Sequence, residues 1–343
     1  MVSVLITTFN SAPYLEQCLD SVLGQTYQPI ETIVVDNSSE DGTRGVLERF
    51  PRVRVFYNTS NRGFAAAQNQ AAKVAKGEWL LSMNPDVTLD THFLSELVRT
   101  GEQDSRIGTA CGKLLRWVPP LEKPLTNTID STGIYFRPDL RHLDRGADQV
   151  DAGQYDREEY VFGATGAAAL YRRTMLDDIA VYGEYFDEQF FAYREDADLA
   201  WRAQLMGWQC VYTPKAVGWH VRRVTPERRK QLPREINWHS IKNRFLMRAK
   251  NISWPLYAHC FLQTTFRDAQ VVAYCLLADP KLASALTAVW KSRRDLKNKR
   301  RAIQSRRRVS DQQLARWFRF NPPSFPIGLR NTSLEEHKSG GTS

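Results

Sequence analysis

Residues 2–90 alternate short apolar, β-branched runs with amphipathic stretches, and few folds accommodate that rhythm. Val2–Thr7, Glu31–Val35, Val53–Tyr57 and Trp79–Met83 read as strands, the first and last of them buried. Between them, a helix is expected from about Pro13, with Leu15, Leu19, Val22 and Leu23 on one face. A second opens at Asp41-Gly42 and runs to about Arg49, and an alanine-rich third spans Phe64–Ala75. Strands alternating with helices of this length predict an α/β domain built on a parallel sheet with right-handed crossovers.

That topology fixes where the chemistry lies. Thr8, Asp36, Asn61 and Asp86 each stand just beyond a strand, so they gather along the sheet's carboxyl edge, where open α/β sheets bind ligands. Asp86 comes after Trp79-Leu80-Leu81-Ser82-Met83-Asn84-Pro85, and a carboxylate at the end of a buried strand is costly unless something positive meets it. Two readings fit: a divalent cation carrying a phosphate, or a turn cap before a helix starting near Asp90. No Gly-x-Gly-x-x-Gly succeeds the first strand and no Gly-Lys-Ser/Thr occurs, so a glycine-rich loop is not the phosphate holder and a metal on Asp86 becomes the favoured device.

Four ordered motifs carry a resemblance: Val-Leu-Ile-Thr-Thr-Phe-Asn (4–10), Val-Val-Asp-Asn-Ser-Ser-x-Asp-Gly (34–42), Asn-Arg-Gly-Phe-Ala (61–65) and Asn-Pro-Asp (84–86). Together they resemble the inverting family 2 glycosyltransferases with a GT-A fold, within them the rhamnosyltransferase-like branch, over roughly residues 2–225. The resemblance implies a Rossmann-like nucleotide-sugar-binding domain in which Thr8 and Phe9 line the base pocket. Asp36 would accept a hydrogen bond from the imide N–H of uracil or thymine, which a carboxylate can do, and Asn61 and Asn69 would lie near base and ribose. Asn61 as a turn residue and Asn69 as a helix residue remain the plain alternatives. Where the family usually has Asp-x-Asp, this chain has Asn84. Asn84 is therefore expected at the ribose or a water, with Asp86 supplying the motif's only carboxylate to Mg²⁺ or Mn²⁺.

A second acidic block, Phe186 to Arg202, places Glu195, Asp196 and Asp198 at the start of a helix with Leu199, Ala203 and Met206 on its apolar face. The helix dipole alone would favour such carboxylates. Sugar transfer with inversion also needs a base for the acceptor hydroxyl; the resemblance puts that base at Asp196, with Glu195 orienting the acceptor, and Asp198 reads as structural. Gly163–Ala168 is either a close backbone approach to ligand or a tight turn into a strand at 168–171. Short strands at 210–212 and 216–219 deliver His220, which the resemblance makes a second metal ligand. Arg222 and Arg223 come next, on a loop expected to close over a diphosphate, though two solvated arginines would look the same. Residues 101–160 carry a strand at 107–115 and a charged, aperiodic surface excursion at 139–155.

From about Pro226 the composition turns aromatic and basic. Lys291–Arg308 holds ten Lys/Arg and one Asp, equal to the chain's whole net charge of +9, so the basicity is one patch aimed at one anionic partner. The apolar segments here are too short to span a bilayer. They suit helices lying on an anionic membrane surface or a bundle packed on the catalytic domain with a solvated basic helix. No RNA-binding motif or stacking platform accompanies the patch, so no nucleic-acid partner is expected. Five scattered cysteines without a Cys-x-x-Cys pair, and an N-terminus without a basic leader, suggest reduced thiols and no secretory signal. The expected organisation is a GT-A domain over 1–225, a helical membrane-peripheral region over 226–325 and a disordered polar tail over 326–343. The expected activity is transfer of L-rhamnose from dTDP-rhamnose to a polyprenyl-diphosphate-linked or cell-envelope glycan at the cytoplasmic membrane face. A UDP-hexose donor, a silent sugar-binding module and a nucleotidyltransferase are the alternatives; the last lacks a triphosphate-holding basic loop.

Overall fold

The computed structural model describes residues 1–117, 126–222, 233–323 and 325–327. The polar tail and Arg223 lie outside the described residues.

The chain runs β1 (Val2–Thr8), α1 (Ala12–Leu23), β2 (Ile30–Asp36), α2 (Thr43–Glu48), β3 (Arg54–Tyr57), α3 (Phe64–Val74), β4 (Trp79–Met83), β5 (Val87–Leu89), α4 (Phe93–Gly101) and β6 (Ile107–Arg116). Then come β7 (Ile129–Ser131), β8 (Ile134–Phe136), β9 (His142–Asp144), β10 (Glu159–Val161), β11 (Ala168–Arg172), α5 (Arg173–Ile179), α6 (Glu195–Leu205) and β12 (Gln209–His220). The remainder is α7 (Arg234–Asn251), α8 (Trp254–His259), α9 (Phe261–Ala273), α10 (Ala283–Lys291), α11 (Arg293–Gln304), α12 (Asp311–Ala315) and a two-residue β13 (Phe325–Pro326).

The main sheet has the order β13-β10-β12-β6-β11-β4-β1-β2-β3, with β5 on β12 and β7 on β6. It is parallel over β4-β1-β2-β3 as the alternation predicts, but mixed beyond: β11 runs antiparallel to both β4 and β6, and β10 antiparallel to β12. Its strands alternate faces with period two. Val4, Ile6 and Val34 join the layer containing Leu15, Leu19, Phe93 and Leu97 from α1 and α4, while Leu5, Ile33 and Val35 join Ala65 and Ala71 of α3 and Leu199 and Trp201 of α6. Both faces are covered, hence the unbroken apolar runs. Gly163 sits where an added Cβ would fall 2.3 Å from Ala200, so a larger residue would push α6 off the sheet.

Four expectations change. The segments at 210–212 and 216–219 are one strand, β12, with a bulge between Tyr212 and Val217. Immediately beyond Asp86 the chain forms β5, so Asp86 is not a helix cap; the helix starts only at Phe93. The stretch 139–155 is a surface excursion only in its second half: Asp139, Leu140 and Arg145 are buried and β9 pairs with β8, whereas 148–150 and 152–154 are exposed. Half of the basic patch, five of its ten Lys/Arg, is used internally. Lys299 binds Asp187 (2.8 Å), Arg300 the carbonyls of Ala249 and Ile252, Arg306 those of Asp178 and Ala180, Arg307 binds Asp311 and Arg308 binds Asp178. These contacts fasten α11 and the segment after it to the sheet domain, because loops ending helices present carbonyls that cations satisfy.

The outer helices differ. Leu262, Phe266, Ala269 and Ala273 recur at helical spacing along α9 and all face outward; Leu262 is 75% exposed, Leu277 84% and Trp254 77%. None of the described helices is long and apolar enough to cross a membrane. All five cysteines are free and buried.

Candidate functional site

The carboxyl ends of β1, β2, β4, β6 and β12 share one edge, and antiparallel β11 begins there, with Ala168 opposite Met83. A cleft of about 500 Å³ opens along this edge. Asn84, Asp86, Glu195, Asp196, His220 and Arg222 all line it, joined by Asp130, His142, Asp144 and Thr165–Ala167.

Asp86 and His220 meet through strand pairing. β5 runs antiparallel to the end of β12, with Val87 opposite His220, and the Val221 N–H donates to the Asp86 carbonyl (3.0 Å). His220 Nε2 then lies 3.5 Å from Asp86 Oδ1, while Nδ1 is 2.8 Å from Asp130 Oδ2. Burial alone would lower the basicity of His220, but Asp130, and then Asp86, outweigh it and raise the pKa to about 10. Asp130 is itself held below the usual carboxylate range: burial raises it, and His220 and Arg222 more than reverse that.

The second acidic pair opens α6. Asp196 accepts from the Gly166 N–H (2.8 Å) and, through its other oxygen, from the Ala197 N–H (2.7 Å). Glu195 is buried, and its Oε2 has no hydrogen-bond partner among the described residues. Burial, then the adjacent Asp196 charge, lifts the Glu195 pKa to about 8; burial also raises Asp196 against the pull of its two N–H donors. Asp196 has two N–H donors and Glu195 Oε2 has none among the described residues, so of the coupled pair Asp196 is the better placed to carry the charge. Asp198 points the other way, into Arg202 (3.0 Å) and Asn251 (2.8 Å).

The remaining expected residues are placed differently. Thr8 and Asp36 are directly bonded (3.0 Å), but both are fully buried, and Asp36 also receives Ser39 Oγ (2.5 Å) and an ion pair from Arg44 (3.5 Å). Phe9, 46% exposed, is the open surface at that end of the sheet. Asn61 caps its own turn by accepting from the Gly63 N–H (2.9 Å). Asn69 is buried, donates to the Phe186 carbonyl (2.8 Å) and accepts from its N–H (3.0 Å), so it fastens a loop and does not line the cleft. Arg222 is on the cleft wall, donating to the carbonyl and carboxylate of Asp130 (both 3.1 Å) and to Asp144. The rest of the loop expected to close over a diphosphate, 223–232, lies outside the described residues.

Asp130, His142 and Asp144 are not evident from sequence because they come from a stretch with no clear pattern. Asp130 is buried in a strand flanked by Thr128 and Thr132, so what marks it as a carboxylate needing a cation is its burial, which the polar sequence around it does not show.

As to a metal, no group of three or more His, Cys, Asp or Glu side chains converges on one point among the described residues. The fit is a two-ligand one, Asp86 and His220, with the far nitrogen of His220 oriented by Asp130 as metal-ligating imidazoles require. Such an open set suits an ion arriving with a diphosphate and completing its shell from phosphate and water oxygens.

The fold is that of a GT-A glycosyltransferase. Residues 3–180 match the model described as Glycosyl transferase family 2, and the chain belongs to that family. It is 26% identical over 247 residues, 63% of this chain and 74% of the relative, to an N-acetylglucosaminyl-diphospho-decaprenol L-rhamnosyltransferase of Mycobacterium tuberculosis. It is 34% identical over 101 residues, 28% of this chain and 34% of the relative, to glycosyltransferase GlyG of Streptococcus pneumoniae. Among solved structures, a Pyrobaculum calidifontis mannosyltransferase in complex with GDP-Man and Mn²⁺ matches with TM-score 0.50 and 19% identity, covering 89% of this chain and 84% of that one. S. aureus TarS 1–349 matches with TM-score 0.51 and 15% identity, covering 94% and 98%.

Proposed function

We propose that this enzyme is an inverting transferase of a deoxyhexose, L-rhamnose from dTDP-rhamnose, to a polyprenyl-diphosphate-linked or other cell-envelope glycan. One observation carries the reading: Asp86 with His220, and Glu195 with Asp196, line the same cleft. The first pair suits a diphosphate and its cation, and the second suits an incoming hydroxyl. The rhamnosyl donor and the lipid-linked acceptor are supported by the mycobacterial relative's name.

In this reading Phe9 offers its ring to the nucleobase, with Thr8 and Asp36 beneath it, and Asn84 faces the ribose. Asp86 and His220 would hold Mg²⁺ or Mn²⁺, which supplies Lewis-acid stabilisation of the leaving diphosphate when bound. The acceptor hydroxyl reaches Asp196, oriented by the unpaired oxygen of Glu195. Asp196 takes its proton as the oxygen attacks the anomeric carbon from the face opposite the leaving group, a contribution of about 10²–10⁴-fold. The Gly166 and Ala197 N–H groups keep Asp196 aimed while it does so.

The exposed stripe of α9 and the tryptophans beside it support a location on the cytoplasmic membrane face, where apolar side chains enter the headgroup region and flanking Lys281, Lys291 and Arg294 meet anionic lipid.

The test is nucleotide release and thermal shift across dTDP-rhamnose, UDP-glucose, UDP-GlcNAc and GDP-mannose, with and without Mn²⁺. Preference for dTDP-rhamnose is expected. Preference for a UDP-sugar replaces the donor, and no turnover of any donor leaves a sugar-binding module.

A further inference from the structure

The segment that leads into Glu195 and Asp196 is strained. Phe191, Tyr193 and Arg194 have φ of 65°, 71° and 72°, a region that bulky residues rarely enter. Phe191 (φ 65°, ψ −69°) is the centre of a γ-turn closed by the Ala192 N–H on the Phe190 carbonyl (2.8 Å), the less favourable hand of that turn. Such conformations persist only where the surroundings over-determine them.

The surroundings that do so come largely from α7, outside the matched family region. Asn243 is fully buried, and its amide Nδ2 lies within hydrogen-bond distance of three carbonyls of this one turn, its two N–H groups shared among Phe190 (2.9 Å), Ala192 (2.8 Å) and Tyr193 (2.7 Å). Its helix adds a stack of His239 on the Phe191 ring (4.8 Å, 13°) and a Lys242 bond to the Gln189 carbonyl (2.6 Å). From the other side the Ala65 N–H donates to the Phe191 carbonyl, and Gly63 leaves the space into which that ring fits: a Cβ there would be 2.6 Å from it. The strained turn therefore ends, one residue before the acidic pair, in a backbone path that Asn243 alone among these groups fixes at three points.

We infer that Asn243 is a positioning residue for sugar transfer: by holding the Phe190–Tyr193 carbonyls it sets where the Glu195 and Asp196 carboxylates stand in the cleft. This makes α7 part of the active site and not an accessory to it. The inference rests on the transferase reading for its kinetic consequence, though not for its structural one. Misplacement of a catalytic group by about 1 Å costs on the order of 10²-fold in rate.

The experiment compares Asn243→Ala with Leu246→Ala, which deletes a buried apolar side chain of the same helix, in the same core cluster as Phe190, but removes none of the hydrogen bonds to the turn carbonyls. Hydrogen exchange over residues 188–198 needs no substrate. Protection is expected to fall roughly tenfold or more in Asn243→Ala and to hold in Leu246→Ala at matched loss of global stability. With the donor that the wild type turns over, Asn243→Ala should lower kcat by about 10²-fold with donor KM nearly unchanged, and Leu246→Ala should change neither per folded molecule. Unchanged exchange in Asn243→Ala, or equal loss of kcat in both variants, overturns the inference. If no donor is turned over by the wild type, the transferase reading fails, and the exchange result still decides whether Asn243 holds the turn.

Discussion

His220 Nε2 lies 3.5 Å from Asp86 Oδ1, although the two residues are far apart in the chain, because β5 pairs with the end of β12 and sets Val87 opposite His220. A strand register fixes this contact, so it needs no loop closure. The imidazole is in turn fixed by Asp130, which makes Asp130 the residue on which metal ligation by His220 would depend.

Asp130→Asn should accordingly weaken Mn²⁺-dependent donor binding by about 10–100-fold, the usual cost of losing a carboxylate behind a metal-ligating histidine. Isothermal titration of donor with and without Mn²⁺ measures it. Binding that is equally weakened in both conditions would show that Asp130 serves only the wall it forms with Arg222 and Asp144.

Asp196→Asn keeps the shape of the side chain and removes its basicity. Transfer should fall by about 10²–10⁴-fold with donor affinity retained. Glu195→Gln should cost less, since the wild-type group already holds its proton at neutral pH and the amide can still orient a hydroxyl. Single-turnover transfer beside equilibrium donor binding separates the two, and a larger loss in Glu195→Gln than in Asp196→Asn would exchange their roles.

Glu195 also predicts a pH dependence of stability. Burial, and then Asp196, raise its pKa from 4.5 to about 8 in the folded protein. As pH rises between these values the unfolded chain releases the proton and the folded chain keeps it, so the contribution favours folding below about pH 4.5 and is lost as pH rises through about 8. Glu195→Gln cannot ionise. Its thermal midpoint relative to wild type should therefore climb as pH rises across that window, and a difference that stays flat would place the titration elsewhere.

Much of this was legible in the sequence for a physical reason: strands buried on both faces write continuous apolar runs, and the residue that ends each run lies on the ligand edge. Asp86 was legible for that reason, and His220, Asp196 and Glu195 through motif resemblance. Asn69 was not, because the sequence does not reveal that its amide would meet the backbone of Phe186, 117 residues away. The basic run at 291–308 was only partly legible, because charge density alone does not distinguish the residues left facing outward from those that satisfy carbonyls and carboxylates within the molecule. Asp130 was hidden by its weak flanking pattern, a three-residue strand too short to show periodicity.

The outward stripe of α9 gives a prediction about location. Leu262→Ser, Phe266→Ser and Leu277→Ser combined should abolish co-sedimentation with vesicles containing phosphatidylglycerol while leaving donor turnover in solution unchanged, since none of the three lines the cleft. Raised salt should weaken the wild-type association only in part, because apolar insertion persists when charge is screened. A wild type that ignores such vesicles, or a triple variant that binds them as well, removes the membrane reading.

Asp187 ties the C-terminal helices to the catalytic body. It receives Lys250 of α7 and Lys299 of α11 (2.8 Å), both buried, and holds the 3-10 turn at Glu188–Phe190 by accepting from the Gln189 N–H (3.1 Å). Burial raises its pKa, but the two ammonium groups outweigh that and hold it well below the usual carboxylate range. Its contribution is thus present above an unfolded pKa of 3.8 and lost as pH falls through the folded value. Asp187→Ala removes the carboxylate that two buried lysines share, and should cost about 3–5 kcal/mol of stability if their remaining partners do not compensate. Urea denaturation at neutral pH reads that loss, and the gap between variant and wild type should narrow as the medium is acidified. A neutral-pH loss near zero would mean that Lys250 is satisfied by Asp198 (3.0 Å) and Lys299 by Asp295 (3.2 Å), and that the helices are held by apolar packing instead.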